Sequence, residues 1–278
     1  MKRNRIFAVW VVVSGLLALG ITFWLFLFLL YKGGSLVSPE FFLEEPKGLQ
    51  LGTEGGVFPA IVGSLLLGGL SGLMGGFLSL CTSVYLVFYC ERRWLKRLIM
   101  DALQCLAGVP SIVLGLFGYS LFLMSFGLKR SLLTASMTLA IMVIPFITLR
   151  LQKAMEETSK EQFVTSLSLG LPKSHTILCL VFPVCLRRIL TALGLGIGFA
   201  MGATAPIMYT GAVVSGGVPD SVMDPVMALP MHLYTLASTG ISMDMAYATA
   251  FVLIVLLLII NLLCHFAGAF KGDRTWKK

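Results

Sequence analysis

Six long apolar runs dominate this chain, and they restrict its fold more than any other feature. They cover residues 7–31, 58–89, 106–126, 132–149, 189–214 and 245–270. A helix needs about 20 apolar residues to cross roughly 30 Å of hydrocarbon, and these runs do not alternate as the strands of a barrel do. Only 12% of the residues are charged, against about 25% in soluble domains. The sequence therefore predicts an all-α integral membrane protein with six transmembrane helices.

The positions of Lys and Arg predict the orientation of these helices. Most of the 21 basic residues lie near the N-terminus, at 92–97, across 150–188 and after 270. The alternate connections contain only Lys32, Lys47, Lys129 and Arg130. By the positive-inside rule, the first set and both termini are cytoplasmic. The net charge of +8 then reflects topology, and no separable basic face indicates nucleic-acid binding.

No enzyme motif is present in the sequence. The chain lacks the G-x-x-x-x-G-K-[ST] phosphate-binding loop, the His-Glu-x-x-His metal helix and the Gly-x-Ser-x-Gly elbow. Its 6 cysteines lie in apolar runs or on the cytoplasmic side, without the spacing of a disulfide framework or a zinc site. We therefore predict a non-enzymatic chain without a metal or cofactor of its own. Regular glycines at 68, 72 and 76, and at 194, 198 and 202, predict close packing of helices.

One polar segment, KEQFVTSLSLGLPKSHTILCLVFP at 160–183, interrupts the apolar pattern. We expect a short helix over about 160–169 that ends at Gly170 in the left-handed conformation, because Pro172 prevents its continuation. The segment resembles the coupling loop of binding-protein-dependent ABC importers, in which Glu-Ala-Ala, three residues and Gly precede an apolar-Pro ending. Here Val164, Thr165 and Ser166 occupy the Glu-Ala-Ala positions and Pro183 the ending. The resemblance implies that this loop contacts a soluble ATPase.

Further strings resemble phosphate permeases of the PstA type. They are GGVFPAIVGSLLL (55–67), LAGVPSIVLGLFGYSLF (106–122), ATAPIM (203–208), ALPMHLYTLAS (228–238) and LLLIINLL (256–263). The resemblance implies a MetI-like permease of the bacterial inner membrane that imports inorganic phosphate. It also implies a second homologous permease, two cytoplasmic subunits that bind the ATP, and a periplasmic or extracellular solute-binding protein.

The same resemblance divides the chain and suggests a translocation path. Residues 1–57 are expected to form the first helix and an outer loop, and 271–278 a cytoplasmic tail. Between them, 58–270 form the permease core, with the coupling loop near 150–188. The residues expected along the path are Pro110, Ser111, Phe199, Ala203, Thr204 and Pro206.

The fifth apolar run departs from the family's pattern, which keeps the substrate open. Members usually carry Gly-Arg-Ala-x-Gly-Glu-Thr-Ala-Pro, but this chain has Phe199 and Ala203 at the Arg and Glu positions. These two positions are four residues apart, which on one helical face would let the missing charges pair. A permease of the same architecture for another solute is one alternative, and a non-transporting scaffold or sensor another. A secondary transporter is disfavoured because the apolar runs contain no charged residue.

Overall fold

The computed structural model describes residues 2–47 and 54–272 and is almost entirely helical. Residues 273–278 of the expected tail and 48–53 of the expected outer loop lie outside this part. In chain order the elements are α1 Lys2–Gly33, α2 Pro39–Leu43, β1 Pro46–Lys47, β2 Glu54–Gly55, α3 Phe58–Val84, α4 Arg93–Ala107, α5 Ser111–Gly118, α6 Leu132–Ser168, α7 Lys173–Thr176, α8 Phe182–Met201, α9 Ala205–Thr210, α10 Leu229–Thr239 and α11 Met243–Gly272. Single π-helical segments extend α3 (Tyr85–Tyr89), α5 (Tyr119–Ser125) and α7 (Ile177–Val181).

The chain forms two compact units. The first comprises the segment up to Phe58 together with Leu233–Val252, and the second comprises Pro59–His232 together with the segment from Leu253. In the first unit the ring of Phe28 on α1 lies 5.6 Å from that of Tyr247. The same unit contains the antiparallel pair β1–β2, a small exception to the predicted all-α fold.

Among the described residues, five helical segments are long and apolar enough to cross a membrane. They are Phe7–Gly33, Phe58–Tyr89, Leu132–Glu157, Lys173–Met201 and Met243–Ala267. The count becomes six if α4 and α5, which bend by 101° at their junction, form one broken span. Run 106–126 does not form the single spanning helix that the sequence predicts, because Pro110 separates the two helices. From Ser111 to Ser125 the second half measures only about 22 Å at 1.5 Å per residue.

The polar segment also folds differently from the prediction. The expected short helix over 160–169 is instead the end of α6, which continues without a break for 37 residues. Residues 150–168 contain neither Gly nor Pro and are rich in helix-forming residues, so nothing interrupts the helix there. At 1.5 Å per residue α6 is about 55 Å long. It therefore exceeds the roughly 30 Å hydrocarbon thickness of a bilayer.

The next apolar run is displaced from its predicted position. The helix over this region begins at Lys173, well before the start of run 189–214, and α8 ends at Met201. Gly202, Ala203 and Thr204 then separate α8 from the short helix α9. Pro206 lies in the first turn of α9, where its missing N–H is tolerated. In the interior of a longer regular helix, the same proline would be destabilising.

Close helix packing in the second unit confirms the prediction for five of the six glycines; at Gly202, where α8 ends, a side chain would meet the Gly198 and Phe199 carbonyls of its own helix instead. A side chain at Gly68, Gly72 or Gly76 on α3 would collide with Met201, Ile197 or Leu193, respectively, on α8. Gly194 and Gly198 lie against Cys264 and Asn261 of α11. Hydroxyl groups also join α3 to α6: Ser79 donates to the Ile144 carbonyl at 3.1 Å, and Ser83 to the Thr148 carbonyl at 3.2 Å.

Candidate functional site

The end of α6 presents some of the expected coupling residues and buries one. Phe163 is buried, and its ring centroid lies 4.6 Å from that of Phe88 in the π-helical end of α3. Ser166 is also buried, and its hydroxyl donates to the Gln162 carbonyl at 2.8 Å. Val164 and Thr165 are exposed. The three positions of the proposed coupling motif therefore divide into two outward residues and one that holds the helix end.

Gly170 has a φ of +85°, which confirms the predicted left-handed helix end. Its N–H donates to the Leu167 carbonyl at 2.9 Å, and the Leu171 N–H donates to the Ser166 carbonyl at 3.2 Å. This pair of bonds is the Schellman arrangement that closes a helix on a glycine. Pro172 then precedes α7, and Pro183 lies at the start of α8. A tight corner thus joins two long helices.

The expected path residues do not form a single cluster. Helix α5, which begins after Pro110 with Ser111, packs against α9, and Gly115 faces the backbone of Ala205 and Pro206 without room for a side chain. Pro206 is buried, whereas Pro110 and Ser111 are exposed. Ala203 and Thr204 lie in the break between α8 and α9.

Phe199 lies within α8, before that break. Because α8 ends at Met201, Phe199 and Ala203 are not two positions of one regular helical face, and that part of the prediction is wrong. The ring of Phe199 is 45% exposed and lies 4.5 Å from the ring of Phe146 on α6. Phe199 therefore belongs to a different surface from Ala203, Thr204 and Pro206.

Phe199 lines a cavity of about 370 Å³ between α6, α8 and α11. Its lining includes Phe146, Arg150, Phe199, Leu257 and Asn261. Among the described lining residues, Arg150 is the one that carries a formal charge. The Asn261 amide donates to the Leu257 carbonyl at 2.8 Å. The volume is in the range of small-ligand sites, which are largely apolar with a few polar groups.

A second cavity of about 410 Å³ shares Arg150, Ala192 and Leu195 with the first. Its ionisable lining residues are Arg150, Lys153, Glu157, Arg187, Arg188 and His265. We call the two adjoining cavities the basic groove. From the sequence alone, these arginines serve only as indicators of membrane topology. Two features could have identified the groove: Asn261 is an isolated amide in an apolar run, and Arg150 directly follows another such run.

The opposite end of α6 is closed by hydrogen bonds. The guanidinium of Arg130 donates to the Met208 and Ala212 carbonyls, both at 2.8 Å. The Thr134 hydroxyl donates to the Thr210 carbonyl at 2.7 Å, and Ser131 caps α6 reciprocally with Thr134. These contacts satisfy carbonyls at the end of α9, which a helix otherwise leaves without partners.

The segment that follows α9 contains one unusual histidine. Val226 pairs with Ala212, and the Leu229 N–H donates to the Ser64 hydroxyl at 2.8 Å. His232, in the first turn of α10, is 3% exposed, and its Nε2 has no hydrogen-bond partner. Burial lowers the pKa of His232 to about 4. Within residues 2–47 and 54–272, no three His, Cys, Asp or Glu residues are grouped as metal ligands.

Comparison with known families gives one match that covers most of the chain. Residues 72–270 match the family described as "Binding-protein-dependent transport system inner membrane component". A "Phosphate transport system permease protein PstA 1" of Mycobacterium tuberculosis (strain CDC 1551 / Oshkosh) is 30% identical over 65% of this chain and 59% of its own length. The chain thus spans about three fifths of that relative.

Other relatives and solved structures extend the likeness. A "Probable phosphate transport system permease protein PstA" of Methanocaldococcus jannaschii is 27% identical over 80% of this chain and 78% of its own. A chain of a MetNI methionine ABC transporter in an inward-facing conformation has a TM-score of 0.64 at 16% identity, and the match covers 76% of this chain and 94% of that chain. A bacterial alginate ABC transporter chain has a TM-score of 0.65 at 15% identity, with 95% of each chain covered. These structures show the fold.

Proposed function

The chain belongs to the family of binding-protein-dependent transport system inner membrane components, and on this premise we propose that it is the permease subunit of an ATP-driven importer of inorganic phosphate. It is a multi-pass protein of the bacterial cytoplasmic membrane. Phosphate is proposed because the relatives that align with most of this chain carry the name of a phosphate permease. ATP hydrolysis would occur on separate subunits, since the chain has no phosphate-binding loop.

The observation that carries the coupling role is the corner at the end of α6. Two helices that are long enough to span a membrane meet at Gly170. Exposed Val164, Thr165 and Gly170 form its outer surface, and Phe163 holds it against Phe88. A rigid knob of this kind can fit into a cleft on an ATP-binding subunit and transmit the closure of that subunit to both helices. Pro172 and Pro183 fix the chain on the far side of the corner.

The proposed topology places both termini and this corner in the cytoplasm and counts six spans, with α4 and α5 as one broken span. The partners are a second homologous permease, two ATP-binding subunits and a solute-binding protein on the outer side. The outer connections 32–57 and 215–244 are rich in Asp and Glu. An acidic surface would not attract free phosphate, but it would complement a basic surface on a protein that delivers it.

Reconstitution tests this proposal directly. The chain is co-expressed with its candidate partner permease and ATP-binding subunit, purified as a complex, and placed in liposomes. We expect uptake of radiolabelled phosphate that requires both ATP and the solute-binding protein and that weakens at high salt. Uptake without that protein, or a chain that purifies without any ATP-binding subunit, would contradict the proposal.

A second candidate function is import of a different solute by the same architecture. It is favoured by Phe199 and Ala203, which stand where the phosphate permeases usually have Arg and Glu. An anion in a site of low dielectric constant needs a balancing cation, and α8 supplies none between Ile189 and Met201. Uptake of an uncharged solute but not of phosphate by the same liposomes would select this alternative.

A further inference from the structure

The basic groove contains more positive charge than its own acidic groups neutralise. Of the lining residues whose side chains the structure describes, only Glu157 is acidic. Glu157 pairs with Arg188 at 3.0 Å and lies 3.9 Å from Lys153. Arg187 Nη2 lies 3.4 Å from His265 Nε2.

Arg150 differs from the other cations of the groove. Among the side chains that the structure describes, it has no ion pair or hydrogen bond. It lies where the two cavities join, so it borders Phe199 and Asn261 on one side and Arg187 on the other. An exposed cation that has no partner among the described side chains and lies beside an open cavity is available to bind an anion. The largely apolar walls of that cavity strengthen the attraction relative to open water.

We infer that the basic groove binds a phosphate group, with Arg150 as its central cation, Asn261 as a neutral donor and Arg187 as a second cation. The planar guanidinium presents paired N–H donors that match the spacing of two phosphate oxygens. The Asn261 amide retains a further hydrogen after its bond to the Leu257 carbonyl. Arg150 would then supply on α6 the positive charge that is missing at Phe199 on α8.

This phosphate group has two sources. It is either inorganic phosphate in transit, which rests on the proposed function, or the headgroup of an anionic lipid. Basic pockets between helices at the cytoplasmic side of a membrane also bind such headgroups. Both sources require the same charge at Arg150, and they differ in whether the bound phosphate exchanges with solution or remains with the lipid.

The test uses the purified full-chain complex in nanodiscs and three variants: Arg150→Gln, Arg150→Lys and Lys129→Gln. Lys129 is exposed and precedes α6 at its other end, so its change removes the same charge far from the groove. One arm measures equilibrium binding of radiolabelled phosphate in phosphatidylcholine nanodiscs. The other measures, by mass spectrometry, how much phosphatidylglycerol the complex retains from a mixture with phosphatidylcholine. Yield and elution volume verify that each variant assembles.

Loss of a charge-assisted contact is expected to weaken binding about tenfold or more in Arg150→Gln. A smaller loss is expected in Arg150→Lys, and none in Lys129→Gln. A change in the first arm identifies free phosphate, and a change confined to the second identifies a lipid headgroup. If neither arm separates Arg150→Gln from Lys129→Gln, the inference is wrong. If the proposed function were wrong and the inference right, ATP-driven phosphate uptake would be absent, while retention of phosphatidylglycerol would still depend on Arg150.

Discussion

Arg130 and Arg150 lie about 20 residues apart, near the two ends of the membrane-length part of α6, which at 1.5 Å per residue is about 30 Å. Arg130 donates to two backbone carbonyls, whereas Arg150 borders an open groove without a described partner. One arginine completes the fold, and the other leaves its donors available. Equal charges at the two ends of one helix therefore need not have equal roles, because the partners of each charge decide whether it stabilises the fold or remains free to bind a ligand.

The largest expected difference between the two ends of α6 comes from substituting the glycine at each end. Gly170 at the corner after α6 and Gly127 before α6 both have positive φ, +85° and +66°, and neither has other atoms nearby. Changing either to Val imposes the same kind of backbone strain, about 1–2 kcal/mol. We expect Gly170→Val to lower phosphate uptake at least tenfold at normal expression, because the coupling corner is distorted. ATP hydrolysis should continue but be uncoupled from transport.

Gly127→Val is the matched control, and it should lower the melting temperature to a similar extent while uptake per folded complex remains normal. ATPase activity and uptake are measured on the same preparations. Equal uptake by the two variants would remove the functional distinction between the ends of α6.

The second prediction concerns the place of the positive charge in the groove. Phe199→Arg would put a second guanidinium into the cavity that already contains Arg150, and a charge within a span costs about 2.5–3.5 kcal/mol on insertion scales. We expect a low yield and a lowered melting temperature for this variant. Adding Arg150→Gln should restore both, because the groove again has one central cation.

The double variant Phe199→Arg with Ala203→Glu tests whether a nearby carboxylate restores yield and melting temperature as well as Arg150→Gln does. On a continuous helix the introduced carboxylate would face the introduced guanidinium one turn away. Because α8 ends between the two positions, we expect a weaker rescue than from Arg150→Gln. Yield and thermal stability of the two double variants decide the point. A stronger rescue by Ala203→Glu would mean that charge pairing along α8 matters more than the charge at Arg150.

The sequence predicts the spans better than it predicts what lies between them. Apolar length identified α1, α3 and α11 almost to their ends, and the glycine spacing on α3 predicted its packing, because both signals are local. The course of α6 beyond Leu149 was missed, since a helix leaving a membrane shows no change in backbone preference. The groove was missed for another reason: Arg150, Arg187 and Asn261 come from three helices, and only their packing brings them together.

The third prediction concerns the contribution of Arg130 to the stability of the fold. Arg130→Ala removes two charge-assisted hydrogen bonds and leaves carbonyls at the end of α9 without these donors. We expect a loss of about 1–3 kcal/mol in the free energy of unfolding, seen as a lower melting temperature of the purified protein. Lys129→Ala, an adjacent exposed cation, should change it by less than about 0.5 kcal/mol. Similar losses in both variants would contradict the contrast between Arg130 and Arg150.

The smallest effect is expected from His232, which makes the stability of the region after α9 depend on pH. Burial lowers its pKa from 6.5 to about 4 in the folded protein, so the folded state favours the neutral ring. The contribution is fully present above the unfolded pKa of 6.5. It is lost as the pH falls from there toward about 4, because the unfolded chain binds the proton first. Between pH 7 and pH 5.5 the loss amounts to about 1 kcal/mol.

His232→Gln removes the titration and retains a polar side chain of similar length, so it should make the melting temperature less dependent on pH over this interval. Arg150→Gln serves as the control from the other end of α6, and its melting temperature should fall with pH as steeply as that of the unmodified protein. Both are followed by thermal unfolding in detergent at fixed ionic strength. A pH dependence unchanged by His232→Gln would show that the ring is protonated or solvated in the folded state, and the region after α9 would then be less tightly closed than its hydrogen bonds indicate.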